Sequence, residues 1–584
     1  MITVDTPQGQ VRGRTEAGII SFLGVPYAEA PFGPRRFQGP TPPPTWDGVR
    51  DALEFGATVP KVGYRPPTSE ILSEPVVPGD DCLNVNVFTP DVGGSAPVFV
   101  WIHGGAFVNG SNAVPTYDGS AFARDGVVAV VINYRLGVDG FALIDGAPAN
   151  RGMLDQVAAL EWVRDHIASY GGNPARVTIA GESAGAMSVG TLMSMPRADG
   201  LFQRAILQSG AGHHVIAAET AAKVSAALAS SLGVEASVDG LGSVPVDALV
   251  DAQRELSDRI TAEAPTGAWG ELALNVMAFE PYIDGDVVPA LPISRINDGA
   301  SAQVDVLIGT TSEEHAFFIV PAGLVPHLTE DYVKMVLAGY RADASALDRY
   351  REQLPDASAG ELMIAVMTDW FFRIPATRLV EARSGNTFVY EFTWRSSLFD
   401  GALGACHALE IPFVFDMLHK PETARITGPN PPQQVGRRDA SGMGRLRARR
   451  LSRLGPVRHR PCGDDVRQRA RRRPRPEAGN PRGVGRGALT FFPPSNVVCE
   501  VARRRVNLGY AQIPSRLRYE CSRPRAACSR GGGRRRLRWI QHLAADGFGA
   551  PGLDRAVRTL VAPTDYPALQ SAAAGGRHRR PRSI

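Results

Sequence analysis

The stretch VTIAGESAGAMSV, residues 177 to 189, decides the fold of this chain. Its first four residues suit a buried strand, the next five form a G-x-S-x-G pentapeptide, and small residues that suit a helix follow. A strand, a sharp turn and a helix in this order form a nucleophile elbow, which presents a serine at the tip of the turn. Gly181 and Gly185 leave room for the strand and the helix to pass close together. The stretch therefore predicts that Ser183 is a nucleophile.

Strands and helices alternate along the residues on both sides of the elbow. Pro97 to Ile102 and Val127 to Ile132 are continuous apolar runs, which are typical of strands covered on both faces. An alternating strand pattern over Asp80 to Phe88 precedes them, and Val304 to Ile308 is another apolar strand. Met153 to Tyr170 has the apolar spacing of an amphipathic helix. The pattern predicts an α/β fold with a mostly parallel, doubly wound sheet.

A glycine-rich turn follows the strand that ends at Ile102. Ester hydrolysis passes through a tetrahedral oxyanion, which is stabilised by backbone N–H groups that converge on one point with no side chain in the way. Gly104, Gly105 and Ala106 supply such a turn, and the N–H of Ala184 adds a donor directly after the nucleophile. Alone, the turn would be interpreted as structural. Its position upstream of the elbow favours an oxyanion hole.

The charge of the chain is divided at residue 436. Residues 1 to 435 contain 28 Lys and Arg against 50 Asp and Glu, a net charge of −22, whereas residues 436 to 584 contain 35 Arg and no Lys against 9 acidic residues, a net charge of +26. The overall charge of +4 averages two unlike segments. We expect one large α/β domain over residues 1 to 435 and a separate Arg-rich tail of low order over residues 436 to 584.

The remaining composition predicts a cytoplasmic protein. The amino terminus, MITVDTPQGQVRGR, has no apolar segment behind basic residues, so no secretory signal is expected. No run approaches the roughly 18 apolar residues of a membrane span. Of the six cysteines only Cys82 and Cys406 lie in the acidic segment, and no Cys or His spacing indicates a metal site. We expect no metal, no cofactor and no membrane partner.

Several segments together resemble the type B carboxylesterases, the α/β-hydrolase family that includes bacterial para-nitrobenzyl esterases. They are FLGVPYAEAPFGPRRF (22 to 37), DDCLNVNVFTP (80 to 90), WIHGGAF (101 to 107), NYRLGVDGF (133 to 141), the run 150 to 190 and LFQRAILQSG (201 to 210). They lie in the family's order within residues 1 to 435. The resemblance implies the α/β-hydrolase fold and hydrolysis of small carboxylic esters through a serine acyl-enzyme intermediate.

The resemblance also implies an acid for the catalytic triad. The family pattern G-x-x-x-D-E-G corresponds to residues 309 to 315, which places the acid at Glu314. His315 stands where the family has glycine, and this departure leaves Glu313 as the lesser candidate. Adjacent glutamates on a turn are ordinarily solvated surface residues, so the assignment depends on the resemblance.

The histidine of the triad is implied by a second family pattern. Residues 407 to 415, HALEIPFVF, match a loop on which His407 carries the imidazole, followed by a packed apolar strand. In this arrangement His407 takes the proton of Ser183 and Glu314 holds the imidazole in the right tautomer. Glu182 and Ser209 match family positions near the triad. The expected walls of the substrate pocket include Phe107, Phe317, Phe318 and Met367.

The sequence leaves two other functions open. The first is a binding protein of the same family that has lost catalysis. The intact Ser183, Glu314 and His407 argue against this alternative. The second is a nucleic-acid partner, which is expected only through the Arg-rich tail, because phosphates are attracted to dense positive charge. A disordered basic tail without a partner is the plainer alternative for residues 436 to 584.

The codons of the Arg-rich tail suggest a different origin for it. Gly442, Met443 and Gly444 must be encoded by GGN, ATG and GGN, and reading one base later forces a tryptophan. With permitted synonymous codons, residues 435 to 460 read one base later spell a segment with Trp, Phe, Trp and Tyr at the positions of the family's next helix and loop. We interpret the tail as the product of a frameshift near Val435. Loss of that buried helix is expected to weaken folding.

We predict a one-base frameshift in the nucleotide sequence across codons 430 to 440. Correction of the frame is expected to restore the family helix pattern D-A-x-x-x-A-W-x-x-F-A in place of the Arg codons. Sequencing both strands of the gene is the measurement. One uninterrupted frame that encodes the arginines would contradict the hypothesis.

Overall fold

The apolar runs of the sequence form the middle of one large sheet. The computed structural model describes residues 1–264, 267–275, 277–432 and 490–492. Its strands are β1 (Ile2–Thr6), β2 (Gly9–Glu16), β3 (Ile19–Pro26), β4 (Val49–Asp51), β5 (Asn84–Thr89), β6 (Ala96–Ile102), β7 (Val128–Ile132), β8 (Gly172–Glu182), β9 (Arg204–Gln208), β10 (Ile216–Ala217), β11 (Tyr282–Ile283), β12 (Asp305–Thr311), β13 (Thr387–Phe392) and β14 (Thr490–Phe492).

The order of the strands is that of a mostly parallel α/β sheet. In the described part of the chain the order is β1-β2-β3-β5-β7-β6-β8-β9-β12-β13-β14, with β4 beside β2, and β10 and β11 form a separate pair. Neighbours from β7 through β13 pair in parallel, whereas β1, β2, β3, β5 and β7 pair antiparallel in succession. The expected strands and the mostly parallel sheet are confirmed.

The two faces of the central strands belong to two different hydrophobic cores. Along β6, Val98, Val100 and Ile102 pack into one core, and Phe99 and Trp101 pack into the other. Because successive side chains of a strand point to opposite faces, a strand covered on both sides needs apolar residues at every position. This requirement explains why β6 is a continuous apolar run.

Helices cover the sheet. They are α1 (Thr68–Ile71), α2 (Ser120–Arg124), α3 (Gly137–Phe141), α4 (Arg151–His166), α5 (Ala184–Leu192), α6 (Ala218–Leu232), α7 (Val238–Gly242), α8 (Val246–Glu263), α9 (Leu272–Asn275), α10 (Pro292–Asn297), α11 (Ala316–Ile319), α12 (Glu330–Gly339), α13 (Ala346–Gln353), α14 (Ala359–Thr368), α15 (Ile374–Ala382), α16 (Ile411–Val414) and α17 (Ala424–Thr427). The expected helix from 153 to 170 is α4 followed by a 3₁₀ turn, Ile167–Tyr170. Within the described residues, no helix combines the length and apolar character needed to cross a bilayer.

A buried ion pair fixes α4 against the loop that follows β7. The Arg135 guanidinium donates to both carboxylate oxygens of Asp155, at 2.8 and 2.7 Å, and their side chains are 2% and 0% exposed. Arg151, the first residue of α4, donates to the backbone oxygens of Val138, Asp139 and Ala142. Buried charges are tolerated when every donor and acceptor is paired in this way. The pairing therefore ties the start of α4 to the loop after β7.

The expected strand after His407 is wrong. Ile411 to Val414 form the short helix α16, with Pro412 in its first turn, where the missing N–H of proline costs no hydrogen bond. The Phe413 ring packs 5.2 Å from Phe392 and 5.0 Å from Trp394. A short apolar run is compatible with a buried strand or a buried helix, so its composition did not decide between them.

The predicted boundary between domains lies outside the described residues. The described residues before the boundary end at 432, and within the tail from 436 to 584 the structure describes only β14. There Phe492, Phe491 and Thr490 pair antiparallel with Val389, Tyr390 and Glu391 of β13. The low order of the tail and its origin in a frameshift stay predictions.

Candidate active site

Ser183 occupies the strained tip of the turn between β8 and α5. Its backbone has φ 56° and ψ −125°, a conformation that residues other than glycine rarely adopt. A Cβ at Gly181 would lie 2.5 Å from the Gly185 carbonyl oxygen, and a Cβ at Gly185 would overlap the carbonyl oxygen of Ile102. The N–H of Ser183 donates to the Gln208 carbonyl oxygen at 2.9 Å. The two glycines are therefore required by the close packing that presents the serine.

The glycine-rich turn lies directly beside the elbow. A Cβ at Gly104 would lie 3.1 Å from the Ser183 Cβ, and Gly105 has φ 117°, which favours glycine. Ala106 also has a positive φ of 53°. Among the described residues, the N–H groups of Gly105 and Ala106 have no hydrogen-bond partner. Gly104, Gly105 and Ala106 line the same cavity as Ser183, while Ala184 begins α5 directly after it. The turn therefore offers unpaired donors next to the serine.

A buried ion pair holds the backbone that supports this turn. The Lys61 Nζ lies 2.6 Å from the Glu74 Oε1, and their side chains are 2% and 10% exposed. The Gly110 N–H donates to Glu74 at 3.1 Å, and Lys61 donates to the Gly110 carbonyl oxygen at 3.3 Å. Gly110 packs so tightly on the turn that a Cβ would overlap the Gly104 carbonyl oxygen. The pair therefore fixes Gly110 on both sides.

The structure brings Glu314 and His407 together. The Glu314 Oε2 lies 2.7 Å from the His407 Nδ1, and Glu314 is 0% exposed. The other carboxylate oxygen of Glu314 accepts from the Ser209 hydroxyl at 2.6 Å and from the Thr311 N–H at 2.7 Å. This carboxylate is thus paired on both oxygens, and Ser209 contacts the acid directly.

Glu313 faces away from the imidazole. Its carboxylate pairs with the Arg395 guanidinium and accepts from the Ala405 N–H at 2.8 Å. Those contacts fasten the loop that precedes His407 to the end of β12. Of the two adjacent glutamates, therefore, only Glu314 contacts the histidine.

Glu182 contacts the other nitrogen of the imidazole. Its Oε1 lies 3.1 Å from the His407 Nε2. The Ser183 hydroxyl, in contrast, makes no hydrogen bond to His407 within the described chain. Burial favours the neutral imidazole, but the carboxylates of Glu182 and Glu314 outweigh it and raise the pKa of His407 to about 9. Burial also raises the pKa of Glu182. Glu182 and Glu314 therefore lie against the two nitrogens of the imidazole and favour its protonated form.

Glu410 is a third buried carboxylate at this centre, and it was not predicted from the sequence. Its Oε1 lies 3.4 Å from the Gln208 Nε2 and 3.5 Å from the Ser209 hydroxyl. Burial raises the pKa of Glu410, and the negative charges of Glu314 and Glu182 raise it further. The available signal was the spacing H-x-x-E from His407, which alone does not specify a buried carboxylate.

The cavity beside Ser183 and His407 has a volume of about 510 Å³ and mostly apolar walls. The predicted wall residues Phe317, Phe318 and Met367 line it. Phe107 does not. It is fully buried with φ 61°, and its ring packs 5.1 Å from Phe141. The turn that exposes the Gly105 and Ala106 N–H groups therefore directs the Phe107 side chain into the core.

The sheet and the elbow define an α/β-hydrolase, and comparisons with known proteins agree. The family model described as "Carboxylesterase family" matches residues 1–427. The chain is 39% identical to the para-nitrobenzyl esterase of Bacillus subtilis (strain 168) over 439 residues, 73% of this chain and 85% of that protein. It is 36% identical to the phenmedipham hydrolase of Pseudarthrobacter oxydans over 425 residues, 71% of this chain and 83% of that protein.

Solved structures give the same result. A thermophilic PNB esterase matches with a TM-score of 0.66 at 34% identity, over 76% of this chain and 90% of that chain. The Geobacillus stearothermophilus carboxylesterase EST55 matches with a TM-score of 0.65 at 34% identity and the same coverage. The chain belongs to the carboxylesterase family and is a carboxylic-ester hydrolase.

We predict that the pH profile of kcat/KM depends on Glu182. A carboxylate beside the imidazole stabilises its protonated form, and only the neutral ring accepts a proton, so the wild-type profile rises up to about pH 9. Glu182→Gln removes that negative charge and is expected to move the rising limb to lower pH by about one pH unit. The measurement is kcat/KM for p-nitrophenyl acetate between pH 5 and 10.

Glu313→Gln is the matched control for this prediction. It removes a carboxylate that pairs with Arg395 and makes no contact with His407, so the rising limb is expected to stay in place. An unmoved limb in Glu182→Gln, or a shift to higher pH, would show that Glu182 does not act on the imidazole.

Proposed function

We propose that Ser183, His407 and Glu314 form the catalytic triad of this esterase. The observation that carries the proposal is the 2.7 Å contact between Glu314 and the His407 Nδ1 in the cavity that Ser183 also lines. His407 acts as the general base, and Glu314 holds the ring and stabilises its positive charge. Ser209 orients Glu314 through the hydrogen bond between its hydroxyl and the carboxylate.

The reaction begins from the neutral imidazole, after the proton on Nε2 has passed to solvent water. A neutral Nε2 and the Glu182 carboxylate are both acceptors, so their contact at 3.1 Å then becomes repulsive. The ring turns toward a donor, and the neighbouring donor is the hydroxyl of Ser183. The imidazole accepts that proton as Ser183 attacks the acyl carbon, and then protonates the departing alcohol. Water releases the acyl group by the same steps.

The oxyanion of each tetrahedral intermediate is held by backbone donors. We assign this role to the N–H groups of Gly105, Ala106 and Ala184, with Gly104 shaping the turn. Each such donor is worth about 3 to 4 kcal/mol of transition-state stabilisation. The support is the turn geometry at Gly104 and Gly105 and the lack of other partners for Gly105 and Ala106 among the described residues.

The substrates of this site are small esters with an apolar body. A cavity of about 510 Å³ admits an ester of modest size, and its walls are largely aromatic and aliphatic. One relative is named a para-nitrobenzyl esterase, and the nitrobenzyl group contains an aromatic ring. We propose that this chain likewise hydrolyses esters with an aromatic ring, without a cofactor.

We predict that Ser183→Ala abolishes ester hydrolysis. Removal of the nucleophile is expected to lower kcat for p-nitrophenyl acetate by about 10⁴-fold or more, because the oxyanion donors alone leave little activity. Ser231→Ala, in α6 outside the cavity, is the matched control and is expected to keep the wild-type rate. Equal rates for Ser183→Ala and wild type would exclude the serine mechanism, provided that circular dichroism shows both folded.

We further propose that the enzyme works in the cytoplasm. The support is that Cys82 and Cys406 are both free and buried, as is usual for a protein of a reducing compartment. Fractionation of cells that express the native gene is expected to recover the esterase with cytoplasmic markers. Recovery with periplasmic or secreted markers would overturn the assignment.

A further inference from the structure

His315 adds a polar ring to a wall where the family pattern has none. The pattern has glycine directly after the acid, whereas this chain has His315 directly after Glu314. The side chain of His315 lines the same cavity as Ser183 and His407. The departure of this chain from the pattern therefore falls inside the substrate cavity.

The His315 ring is held in place by aromatic neighbours. The His315 N–H donates to the Thr368 hydroxyl at 3.1 Å, which fixes the backbone. The ring lies 5.7 Å from Phe371 with an angle of 19° between the planes, and 4.9 Å from Phe318. Phe371 is in turn nearly parallel to His214, at 6.4 Å and 12°. His315 is thus one of several packed rings in a wall, and its direction is determined by packing.

The imidazole of His315 has unused hydrogen-bonding capacity. Its Nδ1 is buried and has no hydrogen-bond partner among the described residues. Burial lowers the pKa of His315 to about 3, with a further contribution from the positive charge of His407, so the ring is neutral near pH 7. A neutral imidazole has one donor and one acceptor nitrogen. Because Nδ1 is buried while the residue lines the cavity, Nε2 is the nitrogen available to a substrate.

His315 lies one aromatic ring away from the proposed general base. Phe318 contacts both histidines, with its ring 4.9 Å from His315 and 5.4 Å from His407. Phe372 lies 4.8 Å from the His407 ring and lines the cavity with Phe371. An aromatic group attached to a carbonyl at Ser183 would pack on these rings. His315 lines the same cavity as Ser183, so it is available to a polar substituent on that group.

We propose that His315 determines specificity by hydrogen bonding to a polar substituent on an aromatic ring of the substrate. The preferred substrates are carboxylic esters whose acyl or alcohol part carries such a ring, with a hydroxyl or a similar group on its edge. A wall of phenylalanines alone would bind a hydroxylated ring no better than the unsubstituted or methylated ring. This inference rests on the proposed function of the same cavity and narrows its substrate class.

The test compares two matched pairs of esters. Ethyl 4-hydroxyphenylacetate and ethyl 4-methylphenylacetate place the ring in the acyl part, and 2-(4-hydroxyphenyl)ethyl acetate and 2-(4-methylphenyl)ethyl acetate place it in the alcohol part. In one of the pairs, wild type is expected to prefer the hydroxylated ester in kcat/KM by about tenfold. The ratio within a pair does not depend on the fraction of active enzyme, so partial unfolding of a variant leaves it interpretable.

Two substitutions separate hydrogen bonding from shape. His315→Phe keeps an aromatic ring and removes both nitrogens, so the preference is expected to fall below about twofold. His315→Gln carries an amide near the position of Nε2 and is expected to retain most of the preference. A wild-type ratio within twofold in both pairs overturns the proposal without any variant.

The variants give two further outcomes against it. An unchanged ratio in His315→Phe, or a loss in His315→Gln as complete as that in His315→Phe, also overturns the proposal. These outcomes differ from a failure of the proposed triad, which would appear as hydrolysis that survives Ser183→Ala.

Discussion

The hydrogen bond between Glu314 and His407 imposes the strictest geometric demand on this structure. It joins residues 93 positions apart, and it must form beside a serine that lies on a third segment. The adjacent parallel strands β8, β9 and β12 meet this demand, because the carboxyl ends of parallel strands meet at one edge of the sheet. Ser209 follows β9 and donates to Glu314 from the strand between the elbow and the acid. The strand order therefore determines which side chains can act together.

The same centre concentrates charge in a water-poor interior. Glu182, Glu314 and Glu410 are buried around one imidazole, and three buried carboxylates cannot all be ionised at moderate cost. Burial and the repulsion between these groups raise the pKa values of Glu182 and Glu410. Glu314 differs because a hydroxyl and a backbone N–H donate to it in addition to its contact with His407. These contacts hold the carboxylate of Glu314 in place, which is what orienting an imidazole requires.

The sequence predicted the parts of this site that depend on local geometry. Gly181 and Gly185 around Ser183, and the turn at Gly104, are needed by the backbone itself, so residue type and spacing indicated them. Glu410, the Lys61 and Glu74 pair, and the ring contacts of His315 depend on segments that are distant in sequence and meet only after folding. The strand expected after His407 failed because α16 has the same apolar composition as a buried strand.

The ion pair between Lys61 and Glu74 links the shape of the cavity wall to the position of the turn at Gly104. Lys61 and Glu74 stand at the two ends of a segment from which Tyr64, Leu72 and Glu74 line the cavity. They also hold Gly110, which packs against the Gly104 carbonyl. Substitutions that enlarge this wall to admit bulkier substrates will therefore also displace the turn and lower kcat. Variants that keep the ion pair between Lys61 and Glu74 are expected to accept bulkier substrates without this loss of kcat.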